Sequence, residues 1–391
     1  MNNFTFCSPT KVAFGIGTEN SVGILIKEHN SKRVLLHYGG GSIKKNGLYN
    51  KIVSSLNDSQ IQFIELSGVE PNPKIGLIRE GVKICKEQEV DFILAVGGGS
   101  VIDSAKAIAA GAKLDEDVWN LYGTYREISA ALPIGVVLTI SAAGSELSPD
   151  SVVTNPEGEL KRSFGSELLR PVFSVMNPEI TFSVSKFQTA CGIVDIMMHT
   201  FERYFTPTKG VELIDNLSEG LLRSVISAGE KAMKNPDDYE ARATLMWAGS
   251  IAHNGLLGTG RVEDWATHHI EHEISGAHDH IAHGEGLAIV FPAWCKFVYH
   301  SDIERFCRFA VNVWGCSKNP DNMEITANEG IAFVENYFKR LGMPTRLSEI
   351  GIGEGEFEQL AEKCTYFGKR TIGGLLKLGK EDIRNIFRLA K

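Results

Sequence analysis

At 391 residues the chain exceeds what one hydrophobic core usually supports, so two domains are expected. Its 43% hydrophobic and 23% charged residues are ordinary for a soluble globular protein. A net charge of −8, with acids and bases mixed along the chain, argues against non-specific nucleic-acid binding.

The amino terminus, "MNNFTFCSPTKVAFG", lacks a basic region followed by an apolar run, so no signal peptide is read. No window approaches 18 uncharged apolar residues, and no membrane span is expected. Seven cysteines (Cys7, Cys85, Cys191, Cys295, Cys307, Cys316 and Cys364) are scattered, odd in number and free of CxxC spacing. They form no disulfide framework and suit a reducing, cytoplasmic setting.

Along the first part, "RVLLHY" (33–38), "IQFIEL" (61–66), "DFILAV" (91–96) and "PIGVVLTI" (133–140) are strand candidates rich in β-branched residues. Between them, "NGLYNKIVSSLND", "KIGLIREGVKICKEQ" and "VIDSAKAIAAGAK" carry the spacing of amphipathic helices. That alternation predicts a mostly parallel sheet with helices on its faces. "PEGELKRS" (156–163) reads as the tip of a hairpin or loop. After about residue 182 the pattern turns helical, in "GIVDIMMHTFERYF", "ELIDNLSEGLLRSVISAGEKAMKN", "YEARATLMWAGSIAHNGLLG" and "ITANEGIAFVENYFKRLG". The predicted fold is therefore an α/β domain over residues 1–181 and an all-helical domain over 182–391.

Two glycine clusters follow predicted strands. In "FILAVGGGSVIDSAKAIAAG", Gly97, Gly98, Gly99 and Ser100 lie between a strand and a helix, where free amides and the helix dipole favour a phosphate. The pattern is GGGS-x-x-D, not the GxGxxG dinucleotide fingerprint, and a tight turn without a ligand is the competing reading. In "HYGGGSIKKNG" (37–47), Gly40, Gly41, Ser42, Lys44 and Lys45 stand where an NAD site usually places an acid. Small groups, a hydroxyl and positive charge suit a 2′-phosphate and predict NADP(H) over NAD(H).

Six of the eleven histidines fall within "DWATHHIEHEISGAHDHIAHG" (264–284). Neutral imidazole is a common metal ligand. Asp195 and His199 are four apart on a predicted helix and share a face, and His268 and His272 repeat that spacing. His283 follows in the next loop. One carboxylate and three imidazoles suit a divalent cation with a position left open. His269 points about 100° away from His268 around the helix and is a poor ligand. His278 and His280 are alternatives to His283, and spacing does not decide among them.

Together these motifs resemble the iron-containing (group III) alcohol dehydrogenases, in their NADPH-dependent, butanol dehydrogenase-like branch. The match runs nearly end to end through "FGIGT", "YGGGSIKKNG", "VEPNP", "VGGGSVIDSAKAIA", "AAGSE", "GIVDIMMHTFERYF", "AHNGLLGTGRVEDWATHHIEHEIS" and "HGEGLAIVFPAW". The resemblance implies a dinucleotide-binding domain, a helical domain and a metal site in the cleft between them, the architecture shared with dehydroquinate synthase. It implies metal ligands at Asp195, His199, His268 and His283, and an imidazole beside the nicotinamide at His272. It places cofactor contacts at Gly40, Gly41, Ser42, Asn72, Gly98, Gly99, Ser100, Thr139, Ser141 and Lys161. His268 and His283 are fifteen apart where related members often show fourteen, which keeps His280 as the alternative to His283.

The activity implied is reversible hydride transfer between NADP(H) and short- to medium-chain aldehydes or primary alcohols. The metal implied is Fe(II), with Zn(II) as second choice, since this donor set suits both. His272 is the candidate proton relay, with packing against the cofactor as its competing role. Family members are commonly dimers, so a homodimer is expected, with a small-molecule substrate and neither nucleic acid nor membrane as partner. The alternatives are an NAD-dependent glycerol or polyol dehydrogenase of the same superfamily and a non-catalytic metal- or nucleotide-binding protein.

Overall fold

The computed structural model describes residues 1–124 and 126–391. Six strands form one parallel sheet: β1 (Lys11–Phe14), β2 (Arg33–Gly39), β3 (Gln62–Val69), β4 (Phe92–Gly97), β5 (Ile134–Leu138) and, after a hairpin, β8 (Phe173–Met176). The hairpin, β6 (Asp150–Asn155) with β7 (Leu160–Gly165), turns where "PEGELKRS" predicts it. The four strands read from apolar runs are all present. β1 and β8 have no counterpart in that reading, because four residues each is too short for a pattern to show.

The apolar runs are continuous because both faces of the sheet are covered. Along β4, Phe92, Leu94 and Val96 enter one core, while Ile93 and Ala95 enter the other. Helices Ile75–Glu87 and Gly99–Gly111 cover the second face, and helices Val22–Lys27 and Leu48–Asp58 cover the first.

Strand order is β1-β8-β5-β4-β2-β3. The chain winds outward from β2 to β3 on one side and from β4 to β5 on the other. Its direction therefore reverses between β2 and β4, which pair from Val34↔Phe92 to Tyr38↔Val96. In open parallel sheets such a reversal leaves a ligand-sized crevice beyond the carboxyl ends of the strands. Residues 40–42 leave β2 there, and residues 98–100 leave β4. The two glycine clusters thus meet at the one place where this topology favours a dinucleotide.

His37, within β2, is fully buried, with Nδ1 2.9 Å from Leu66 O and Nε2 2.8 Å from Ser104 Oγ. Burial pushes its pKa down to about 4, against the raising effect of the Leu66 bond. From about pH 6.5 to about pH 4, the unfolded chain binds a proton here that the folded chain refuses. Stability is therefore lost as pH falls through that window, by about 3 kcal/mol for a shift of this size. The stability difference between the parent and His37→Gln, from denaturant titrations, is expected to fall by about that amount between about pH 7 and about pH 4. A difference that does not change with pH would show that His37 contributes no acid sensitivity.

The chain forms two compact units. One comprises Cys7–Val184 with Pro236–Asn254, the other Met1–Phe6 with Ser185–Asn235 and Gly255–Lys391. Helix Tyr239–His253, read from sequence with the helical half, belongs to the α/β unit. Met246 joins the sheet's core, and Ser250 Oγ donates to the buried Glu146 at 2.5 Å. In the helical unit, helix His283–Val298 packs against helices Lys186–Tyr204, Ala266–Ala277, Met323–Arg340 and Lys380–Leu389. Among the described residues, no helix is long and apolar enough to cross a membrane.

Candidate active site

Three helices of the helical unit bring the predicted ligands together. Helix Lys186–Tyr204 is capped by Ser185 Oγ, which accepts from Gln188 N at 3.2 Å, and it is buried over most of its length. Asp195 and His199 stand one turn apart on it, both buried. Helix Ala266–Ala277 supplies His268. It starts after Trp265, whose φ of 63° puts a left-handed residue immediately before the ligand turn. Helix His283–Val298 begins at His283 itself. A Cβ on Gly284 would stand 2.5 Å from Cys191 Cα, so only glycine lets this helix cross so close to the turn preceding Asp195.

Asp195 Oδ1 is the focus of the cluster. It lies 3.7 Å from His199 Nδ1, 3.7 Å from His268 Nε2 and 3.8 Å from His283 Nε2. These separations are too long for hydrogen bonds. Asp195 Oδ1 and His268 Nε2 are buried with no hydrogen-bond partner, although buried polar atoms nearly always have one. One cation at about 2.0–2.2 Å from each donor would span such gaps and satisfy both atoms. Electrostatics agree. Burial pulls the pKa of His268 down, yet Asp195 and Glu202 carry it up to about 9, the mark of a site with surplus negative charge. The donors present therefore fit a divalent cation.

His272 lies beside the cluster, its ring 5.6 Å from that of His283 and 6.4 Å from that of His268. His280 does not join it, being exposed with its ring 6.0 Å from that of His278. His278 is bonded to Glu356 at 2.6 Å. Of the histidines that spacing left open, His283 is the one whose ring nitrogen faces Asp195 Oδ1, at 3.8 Å.

Two further residues escaped the sequence reading. Glu202, buried, accepts from the His268 backbone N at 2.9 Å and stands 2.9 Å from its Nδ1. Glu271, buried, bonds to His283 Nδ1. The signal was present as His-x-x-Glu at 199–202 and again at 268–271. Asp264 holds the turn before His268 by accepting from Ala266 N at 3.0 Å, Gly374 N at 2.8 Å and Leu375 N at 2.7 Å. Burial, with the nearby charge of Glu202, pushes its pKa up to about 7.

In the α/β unit, the predicted cofactor residues gather at the carboxyl ends of neighbouring strands. No side chain caps the first turn of helix Gly99–Gly111, and Gly98, Gly99 and Ser100 are only partly covered. Gly40 and Gly41 have open space where a Cβ would stand, and Gly41 has φ 116°. Thr139 N donates to Gly97 O at 3.1 Å, and Ser141 Oγ is buried without a partner. Pro73 O accepts from Thr154 N at 2.9 Å, and Thr154 pairs with Lys161 across the hairpin, so the Asn72 loop and Lys161 share one corner. Lys106, absent from the sequence reading, is wholly buried and donates to Ser145 O (2.7 Å), Ser148 O (2.9 Å) and Asp150 O (2.7 Å). It ties the segment after β5 to the phosphate-loop helix, and burial pulls its pKa down to about 8. Open glycines, an uncapped helix start and an unpaired hydroxyl fit a dinucleotide phosphate.

Comparison with known proteins identifies the family. The model of the iron-containing alcohol dehydrogenase family matches residues 9–178, and that of the family's C-terminal part matches residues 189–390. A relative from Clostridium acetobutylicum, NADH-dependent butanol dehydrogenase A, is 46% identical over 99% of both chains. The NADPH-dependent aldehyde reductase YqhD of Escherichia coli is 36% identical over the full length of both. The crystal structure of NADH-dependent butanol dehydrogenase A from Thermotoga maritima superimposes with a TM-score of 0.96 at 40% identity, covering 100% of this chain and 99% of that one. Across both units, then, the chain belongs to the iron-containing alcohol dehydrogenase family.

Proposed function

We propose that the chain interconverts short- to medium-chain aldehydes and primary alcohols with NADP(H), at a divalent cation held by Asp195, His199, His268 and His283. The observation that carries this reading is one carboxylate oxygen, Asp195 Oδ1, facing three imidazole nitrogens at 3.7–3.8 Å. Relatives named for butanol dehydrogenase and aldehyde reductase activity support the substrate class. Fe(II) is the proposed occupant, in line with the family, and Zn(II) is the second choice for the same donors.

When bound, the nicotinamide supplies the hydride and the cation supplies the Lewis acidity that polarises the carbonyl. The chain's own residues bind, orient and move a proton. Residues 98–100 and Ser141 hold cofactor phosphate, and the four ligands fix the cation. Aldehyde reduction consumes one proton at the substrate oxygen, and the His272 imidazole is the proposed carrier.

The preference for NADPH rests on residues 40–42. They include no carboxylate to bind a 2′-hydroxyl and repel a 2′-phosphate, they leave open space, and Lys44 and Lys45 follow. Relatives are named for both cofactors, so this loop's chemistry guides the choice. After loading with Fe(II) or Zn(II), the chain is expected to oxidise NADPH with butyraldehyde. Its kcat/KM should exceed that for NADH by about tenfold or more, the worth of one charge-assisted contact. No cofactor oxidation with any short aldehyde would refute the dehydrogenase reading. Faster turnover with NADH would refute the cofactor reading alone.

A further inference from the structure

The metal reading leaves two wholly buried carboxylates, Glu202 and Glu271, without a stated task. Both end on the Nδ1 atom of a histidine whose Nε2 faces Asp195 Oδ1. Their placement follows a rule. Helix Lys186–Tyr204 carries His199 and, three residues on, Glu202, which grips His268 of the next helix. Helix Ala266–Ala277 carries His268 and, three residues on, Glu271, which grips His283 of the third. Each of these two helices thus supplies an imidazole ligand and, three residues on, the carboxylate that orients the imidazole on the next of the three site helices.

We infer that Glu202 and Glu271 are positioning residues that tune cation affinity by holding His268 and His283 with Nδ1 protonated and Nε2 free to ligate. The inference rests on the metal reading above. A carboxylate on Nδ1 fixes the tautomer and the ring orientation, and raises the basicity of the opposite nitrogen. Two details show that the molecule makes room for the arrangement. The Glu202 oxygen that faces the His268 ring also accepts the His268 backbone N–H, so side chain and main chain of that ligand share one anchor. A Cβ on Gly286 would stand 2.7 Å from Glu271 Cγ, so a side chain there would displace the carboxylate. With Asp195, the relay sets three buried carboxylates around one cation, a net excess of negative charge even against a divalent ion.

The test is equilibrium competition for Zn(II) against a chelator, on the full chain and on Glu202→Gln, Glu202→Ala, Glu271→Gln and Glu271→Ala. The alanine variants are expected to bind about 10- to 100-fold more weakly. The glutamine variants keep an acceptor for Nδ1–H but lose the charge, and should fall between. Melting of the metal-free chains is measured alongside, and the glutamine variants preserve size should alanine leave the chain unfolded. Alanine variants that bind within twofold of the parent, or glutamine variants no better than alanine, would overturn the positioning role while leaving the metal site intact. A parent chain that binds no Zn(II) and no Fe(II) would instead overturn the metal reading itself.

Discussion

Asp195→Asn is expected to lower kcat by about 10³-fold or more while the chain stays folded. Lewis-acid stabilisation is worth several kcal/mol, and each 1.36 kcal/mol is tenfold in rate. Asp195 Oδ1 lies within 3.8 Å of a nitrogen of each of the three imidazoles, so removing its charge removes the centre of the cluster. The same atom is buried and makes no hydrogen bond. In the metal-free chain Asp195 helps to stabilise protonated His268, so the metal-free variant should melt somewhat below the metal-free parent and yet remain folded. Metal content by elemental analysis, steady-state rates and thermal melting together check the expectation. A variant that retains one metal per chain and near-parental rates would show that Asp195 is not a ligand.

Gly98→Ala is expected to raise the KM for NADPH by about 10- to 100-fold and to destabilise the α/β unit by about 1–3 kcal/mol. Backbone strain is not the reason, since φ −92° and ψ −167° suit any residue. The reason is contact. A Cβ at Gly98 would lie 2.2 Å from Ile140 Cγ2, on the segment that leaves β5. Gly97 is as tight, with Val101 Cγ2 at 2.4 Å and Val101 Cβ at 2.6 Å. Relief requires the glycine turn to move off Ile140 and carry the start of helix Gly99–Gly111 with it. The proposed phosphate contact would suffer more than the packing does. The aldehyde KM measured at saturating NADPH is expected to stay within about twofold, because the proposed metal ligands belong to the other unit. An unchanged KM for NADPH would show that this turn does not hold cofactor.

What the sequence made legible was whatever its local pattern determines. Four central strands announced themselves because a sheet covered on both faces needs unbroken apolar runs, as "DFILAV" and "RVLLHY" provide. The glycine turns were legible because they follow those strands directly, although only the strand order shows that they meet at the reversal between β2 and β4. β1 and β8 were too short to read. Helix Tyr239–His253 carries no local sign of returning to the α/β unit. Its membership is decided by Met246 under the sheet and by Gly144, where a Cβ would stand 2.6 Å from Gly249 O. At the site, the histidine spacing was visible, while the position of His283 opposite Asp195 depends on a helix crossing that Gly284 permits. Glu202 and Glu271 look like ordinary helix charges until the neighbouring helices are in place, because each acts on a ligand it does not share a helix with.

Anomalous diffraction at the metal edge, from crystals of the Fe(II)- or Zn(II)-loaded chain, addresses the central claim most directly. The expected result is one peak per chain, bounded by Asp195 Oδ1, His268 Nε2, His283 Nε2 and the imidazole of His199. A loaded chain whose peak lies elsewhere, or whose four side chains turn away from a common point, would contradict it.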